Sequence, residues 1–194
     1  MTGNSSISVG LRVRLRAVAR RMRADGNKAS AAIEFAMIAP VFFILLMGII
    51  ENGVIYFAGS TLQFATDNAA RYIRTGQASA ASMSQSQFRT RICNDISPVL
   101  PCDSNLQIDV EAYTNYTGAN FTTPTDSQGN LLTTLNNYQI GAPCSVVLVR
   151  SFFTWRVLTP VLSPFLTNMT TGYHLITATA AFRNEPYTSA VSGC

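Results

Sequence analysis

The chain has 194 residues, of which 47% are hydrophobic and only 12% are charged, a balance that favours one domain with a membrane element over an ordinary soluble protein. The formal net charge of +4 is concentrated at the N-terminus, where seven of the 14 Lys and Arg residues lie within the first 28 positions. Basic residues directly before an apolar run are typical of retention on the cytoplasmic side of a membrane, so we expect no nucleic-acid partner.

We interpret residues 1–29 as a basic cytoplasmic leader and residues 30–75 as a helix that crosses the membrane and continues beyond it. The apolar run over residues 31–50 has the roughly 20 residues that a spanning helix needs. Gly76 is a suitable residue to end the helix. Past the apolar run, apolar or small residues recur at spacings of three and four, the repeat of one helical face: Ile55, Ala58, Leu62, Ala65, Ala69 and Tyr72.

Glu34 lies just inside the apolar run, and a charged side chain near the bilayer centre costs about 2.5–3.5 kcal/mol and is usually paired. A cleaved secretory signal would end near Gly59 and cut the predicted helix in half, whereas an uncleaved signal anchor leaves Glu34 unexplained. In a third interpretation the chain is cut between Ala29 and Ser30, which places Glu34 fifth in the mature protein. The new α-amino group, or a neighbour's, is mostly cationic at neutral pH and would neutralise the carboxylate.

A second carboxylate, Glu51, directly follows the apolar run. It marks the outer boundary of the membrane or, alternatively, forms a second polar contact between subunits, because acids at such positions often have a polar partner. The sequence leaves both interpretations open.

Residues 76–105 are interpreted as a small-residue linker over 77–87, without core-forming power, and a short helix over 88–96. Residues 106–194 are predicted to form a β-rich domain with strands at 106–113, 145–157 and 173–182. Residues 114–139 are expected to form an exposed excursion with room for one short hairpin. Two prolines interrupt residues 158–169, which favours an interfacial loop or short helix against the bilayer. The predicted fold class is α+β, a long N-terminal helix followed by a small antiparallel sheet.

The sequence favours no catalytic, cofactor or metal site. His174 is the single histidine and falls inside a strand pattern, which is typical of a structural histidine. Asp109 and Glu111 are alternate residues of one predicted strand, and we expect a solvated edge rather than paired catalytic acids. The chain also has no Gly-rich phosphate loop, so we expect no cofactor and no enzyme activity.

All four cysteines, Cys93, Cys102, Cys144 and Cys194, follow the predicted membrane span. An even number of cysteines in an exported domain favours disulfides, whereas a zinc site would need better spacing and more than one histidine. Three pairings are possible. We favour Cys93 with Cys102, which are close in sequence, and Cys144 with Cys194, a bond that would tie the C-terminus to the sheet.

The run from Ser30 through Glu34 and Phe35 resembles the Flp-type prepilin pattern, in which a small residue at the cut is followed by four residues and then Glu-Phe or Glu-Tyr. Ala29 stands before the cut, where prepilins usually have Gly. Beyond this motif, a stretch of about 45 residues resembles the TadE/TadG pseudopilin family. The features that carry it are Glu34-Phe35-Ala36, Pro40, Gly48-Ile49-Ile50-Glu51 and Asn68-Ala69-Ala70-Arg71-Tyr72.

The resemblance implies a pilin-like minor pseudopilin of a Tad-type (Flp) pilus in the bacterial inner membrane, with its N-terminus cytoplasmic and its C-terminal domain periplasmic. Its implied partners are a prepilin peptidase, other pseudopilins, the Flp pilin and the pilus assembly platform. The implied processing residues are Ala29, Ser30, Glu34 and Phe35, and the implied assembly contacts are Glu34 and Glu51. The alternative is a signal-anchored binding or adhesive module with an inert membrane segment.

Overall fold

The structure is a computed structural model that describes residues 6–97, 99–132, 135, 137–187 and 194, with side chains from residue 30 onward. It divides into two compact units, residues 1–47 and residues 48–194. The described elements are helices α1 (Ser6–Arg74), α2 (Gln77–Ala80), α3 (Gln85–Ile96) and α4 (Ser163–Leu166), a 3-10 turn (Tyr116–Gly118), and strands β1 (Leu106–Tyr113), β2 (Val146–Arg156) and β3 (Tyr173–Arg183). The predicted α+β class is confirmed.

Helix α1 is longer than predicted at its N-terminal end. It begins at Ser6 and continues through the expected leader without a break, including the predicted cut between Ala29 and Ser30. It ends at Arg74, as the sequence indicates, because Gly76 turns the backbone into the left-handed region with φ of 75°. A side chain at Gly76 would also collide with the ring of Tyr187, since an added Cβ would lie 2.3 Å from its Cγ. Both constraints require glycine.

The three strands form one antiparallel sheet in the order β1-β2-β3. One face of the sheet packs with α1 and α3 in a single hydrophobic core that includes Val110, Val149 and Ile176. The face that α1 contributes is formed by residues that are no more than 2% exposed: Ala58, Leu62, Ala65, Ala69 and Ile73. Four of these belong to the predicted seam, but Ile73 takes the buried position at its end while Tyr72 is only half-buried.

Two polar contacts join α1 to the sheet. Thr66 Oγ1 donates a buried hydrogen bond of 2.9 Å to Ser151 Oγ on the central strand. On the edge strand, the Gln63 side-chain amide donates to the Thr179 carbonyl and accepts from its backbone N–H. The side-chain amide of Gln63 thus makes the pair of hydrogen bonds that a neighbouring strand would make with β3. It thereby occupies backbone groups of an edge strand that could otherwise pair with another chain and cause aggregation.

The segment expected to be a plain linker is more ordered than its composition indicates. Ala78 in α2 is fully buried in the core, contrary to the expectation that this stretch lacks core residues. Ser84 and Gln87 then form a capping box, in which the Ser84 side chain accepts from the Gln87 N–H and the Gln87 side chain accepts from the Ser84 N–H. This cap starts α3 at Gln85 and aligns Phe88, which is buried, with the core.

Small residues on the buried face of α1 let the sheet approach closely, so enlarging one of them should destabilise the fold. We expect Ala65→Leu to lower the free energy of unfolding by about 1–3 kcal/mol, the usual cost of overpacking. The matched control is Phe64→Leu at the adjacent, exposed position, with an expected change within about 0.5 kcal/mol. Urea unfolding of the full chain in detergent micelles, followed by Trp155 fluorescence, measures both. Equal effects at the two positions would contradict the packing described.

Candidate functional site

The first unit presents an apolar helical surface. Ser30–Arg74 is long and apolar enough to cross a membrane by length and composition. Within residues 33–47 the large hydrophobic side chains are exposed rather than packed on the protein. They are Ile33, Phe35, Met37, Ile38, Val41, Phe42, Phe43, Ile44, Leu45, Leu46 and Met47. An apolar surface of this extent marks a site of contact with lipid or with other apolar helices.

Glu34 stands on this apolar surface. Its side chain is exposed, and Ser30 Oγ donates a 3.2 Å hydrogen bond to Glu34 Oε1 across one helical turn. The next residue, Phe35, is 69% exposed. The structure therefore brings three of the predicted processing residues together on the open part of α1, and it leaves the carboxylate accessible to a group from outside the chain.

Glu51 has the opposite environment. Its side chain is only 5% exposed, and its two oxygens accept hydrogen bonds from consecutive backbone amides that follow β2. Oε1 accepts from the N–H of Leu158, and Oε2 accepts from the N–H of Thr159 at 3.0 Å. Both oxygens are thus used inside the chain, a role that the sequence analysis did not foresee. The predicted contact of Glu51 with another subunit stays a prediction.

The solvated edge expected at Asp109 and Glu111 is wrong. The Asp109 side chain is fully buried, and Arg150, directly opposite it on β2, donates from Nε to Asp109 Oδ2 at 3.0 Å. Arg150 Nη2 also bonds Glu111 Oε1 at 3.1 Å, and its Nη1 donates to the carbonyls of Asn120 and Thr122. A loop from the excursion supplies the Asn120 and Thr122 carbonyls, so the charges of Asp109 and Arg150 are removed from water and held by one another, while Glu111 stays partly exposed.

Tyr113 extends this network. Its hydroxyl donates a hydrogen bond to Glu111. Burial, and then the hydrogen bond to Glu111, raise the pKa of Tyr113 above the ordinary value for tyrosine. Burial likewise raises the pKa of Tyr138, whose ring lies 5.6 Å from that of Phe88. Both phenols therefore remain neutral at physiological pH.

The cysteines are joined in the pairing that the sequence favours. Cys93 on α3 is bonded to Cys102, and Cys144, just before β2, is bonded to Cys194. The second bond holds the end of the chain beside the sheet, where Arg183 Nη1 also donates to the Cys194 carbonyl at 2.8 Å. The histidine expected to be structural, His174, is half-buried, and its Nδ1 contacts the Leu166 carbonyl.

Removing one member of the buried charge network should be costly. In Asp109→Asn the guanidinium of Arg150 stays buried but loses its main counter-charge, so we expect the free energy of unfolding to fall by about 3 kcal/mol or more. The matched control is Glu185→Gln, which breaks the exposed ion pair with Arg74, and its effect should stay within about 0.5 kcal/mol. Urea unfolding of each full-length variant measures the difference. A loss at Asp109 as small as that at Glu185 would refute the buried network.

Comparison with known proteins identifies one family model that matches part of the chain. Residues 29–71 match the family model described as TadE-like protein. No curated protein and no solved structure matches the chain significantly. The matched range begins at Ala29, includes both Glu34 and Glu51, and ends at Arg71 in the part of α1 that the sheet covers. The predicted resemblance to the TadE/TadG-like family is therefore confirmed for this segment of the chain.

Proposed function

We propose that this chain is a minor pseudopilin, a membrane-anchored assembly component of a Tad-type (Flp) pilus, and that it acts by association of helices in the bacterial inner membrane. The TadE-like match supports a pilus-related role, and the exposed apolar surface of α1 supports the membrane anchor. We propose a single-pass arrangement with the basic N-terminus in the cytoplasm and the β-rich domain in the periplasm, because seven Lys and Arg residues precede the apolar run. The role is structural, not enzymatic.

The exposure of Glu34 on an apolar helical surface is the observation that carries this proposal. An unpaired carboxylate at the centre of a spanning helix is unfavourable by about 2.5–3.5 kcal/mol on insertion scales, and the cost is smaller but still unfavourable at Glu34, about one turn inside the apolar run. A hydroxyl such as that of Ser30 offers one hydrogen bond but no opposite charge. A cationic amine from a neighbouring subunit would supply the missing charge, so association of subunits would be favoured over a solitary chain.

The amine has a natural source. Cleavage by a prepilin peptidase between Ala29 and Ser30 would create an α-amino group four positions before Glu34, on the same helix surface. We propose that this amine pairs with Glu34 of an adjacent subunit, either another pseudopilin or the Flp pilin, at the assembly platform. The apolar side chains around it would pack between helices or against lipid.

Loss of the carboxylate should impair assembly without impairing insertion. Polar contacts between membrane helices contribute about 1–2 kcal/mol, so Glu34→Ala should reduce incorporation into the pilus complex about tenfold. The matched control is Met37→Ala, which shortens an exposed apolar side chain one turn along and keeps the acid. Incorporation is measured as the amount of chain that copurifies with Flp pilin, divided by the amount in the membrane fraction.

N-terminal sequencing of the membrane-extracted protein separates the two parts of the proposal. Ser30 as the first residue would support processing, and an intact Met1 would contradict it. If Glu34→Ala enters the membrane and is incorporated as well as the unmodified chain, the helix-association mechanism is wrong. That result would favour the alternative function, a tethered binding or adhesive module.

A further inference from the structure

The connection between β2 and β3 carries an exposed apolar surface that the proposed assembly role does not use. We call residues 158–166 the apolar loop. Three of its large hydrophobic side chains point away from the core, Leu158 at 71% exposed, Val161 at 61% and Phe165 at 83%. The stretch from residue 157 to residue 172 contains no Asp, Glu, Lys or Arg. Exposure of apolar side chains to water is unfavourable in free energy, so this surface indicates a contact with lipid or with another apolar surface.

The apolar loop has a defined shape. Turns and the short helix α4 give it internal backbone hydrogen bonds, including Leu162 N–H to the Thr159 carbonyl at 3.0 Å and Thr167 N–H to the Ser163 carbonyl at 3.0 Å. His174 contacts the Leu166 carbonyl from β3. Phe165 is therefore displayed by a structured segment rather than exposed by chance.

The apolar loop is also fixed to one level of α1. Glu51 accepts the amides of Leu158 and Thr159, and Leu162 packs so near Gly48 that an added Cβ there would lie 3.2 Å from Leu162 Cδ1. Glu51 directly follows Ile50, the last residue of the apolar run of α1. The loop thus lies beside the last residues of that run, where Ile49 and Ile50 are themselves exposed.

We infer that the apolar loop inserts into the interface of the same bilayer that α1 crosses, on the leaflet where α1 emerges near Glu51. This inference rests on the membrane anchoring in the proposed function. Lipid is the occupant that the observations favour, because the loop continues the exposed apolar surface of Ile49 and Ile50 and carries no charge that would specify a protein partner. Phe165 and Val161 enter the boundary between headgroups and acyl chains to a depth of about 5–10 Å. Arg156, exposed just before the loop, lies within reach of the phosphates.

The consequence is a second membrane contact that orients the unit of residues 48–194. A single helix allows rotation about its own axis, whereas a helix and a laterally displaced loop together fix which side of the domain faces the bilayer. Glu51 is the link between the two contacts, since its carboxylate holds the loop against the helix.

Tryptophan quenching by brominated lipids tests the inference on the full chain in vesicles. In a Trp155→Phe background, which removes the single native tryptophan, reporters are placed one at a time by Phe165→Trp in the loop, Phe42→Trp in the proposed span and Phe121→Trp in the excursion. All three phenylalanines are exposed, so each replacement is tolerated sterically. We expect brominated acyl chains to quench both the Phe165→Trp and the Phe42→Trp reporters, with bromines near the headgroup end quenching Phe165→Trp the more strongly, and to leave Phe121→Trp unchanged.

The three positions keep the outcomes separate. Quenching of Phe42→Trp without quenching of Phe165→Trp overturns the inference and leaves the proposed anchoring intact. Absence of quenching at both positions overturns the anchoring and the inference with it. A blue-shifted but unquenched Phe165→Trp reporter would show that the loop contacts a protein surface, such as a second copy of the chain. Quenching of Phe121→Trp equal to that of Phe165→Trp would show that the whole domain adsorbs to the vesicle. Either result contradicts the inference. Val161→Trp provides a second loop reporter should Phe165→Trp fail to fold.

Discussion

The structure depends on how closely the sheet packs against one face of α1. The Ala residues of that face, Ala58, Ala65 and Ala69, keep the helix thin there. Because the helix and the sheet are close, Thr66 reaches Ser151 and their buried hydroxyls form a hydrogen bond. A buried hydroxyl without a partner would destabilise the fold by about 1–3 kcal/mol. Helix α3, which carries the disulfide-bonded Cys93, and the β-rich domain share one hydrophobic core with this face of α1.

One helix thereby serves two environments, and the carboxylates of Glu34 and Glu51 mark the difference. Glu51 is satisfied within the chain by two backbone amides, so it needs nothing from a neighbour to be stable. Glu34 has the hydroxyl of Ser30 and an apolar, exposed surrounding, so its charge is the one that a partner can stabilise. The same residue type thus has a structural role at one position and, in the proposed function, an associative role at the other.

Secondary-structure elements that are determined by local sequence patterns were predictable. Contacts between residues that are far apart in the sequence were not. Alternation predicted the bounds of β1, Gly76 indicated the C-terminal end of α1, and helical periodicity predicted most of its buried face, because these signals report local geometry. Asp109 was misjudged because its partner, Arg150, is specified by strand register rather than by spacing. The amides that bind Glu51 left no trace in the sequence, since backbone groups are present at every position. Ala78 was missed because a small residue fits a core as readily as a linker.

Hydrogen–deuterium exchange of the full chain in lipid nanodiscs tests most directly whether the two parts of α1 depend on different surroundings. We expect a variant with a disrupted helix–sheet contact, Ala65→Leu, to exchange faster over residues 58–73 and over β2 together, because these segments support one another. Residues 33–50 should keep their slow exchange in the same sample, since lipid protects them. Unchanged protection at residues 58–73, or equal loss along the whole helix, would show that the two parts of α1 do not depend on different surroundings.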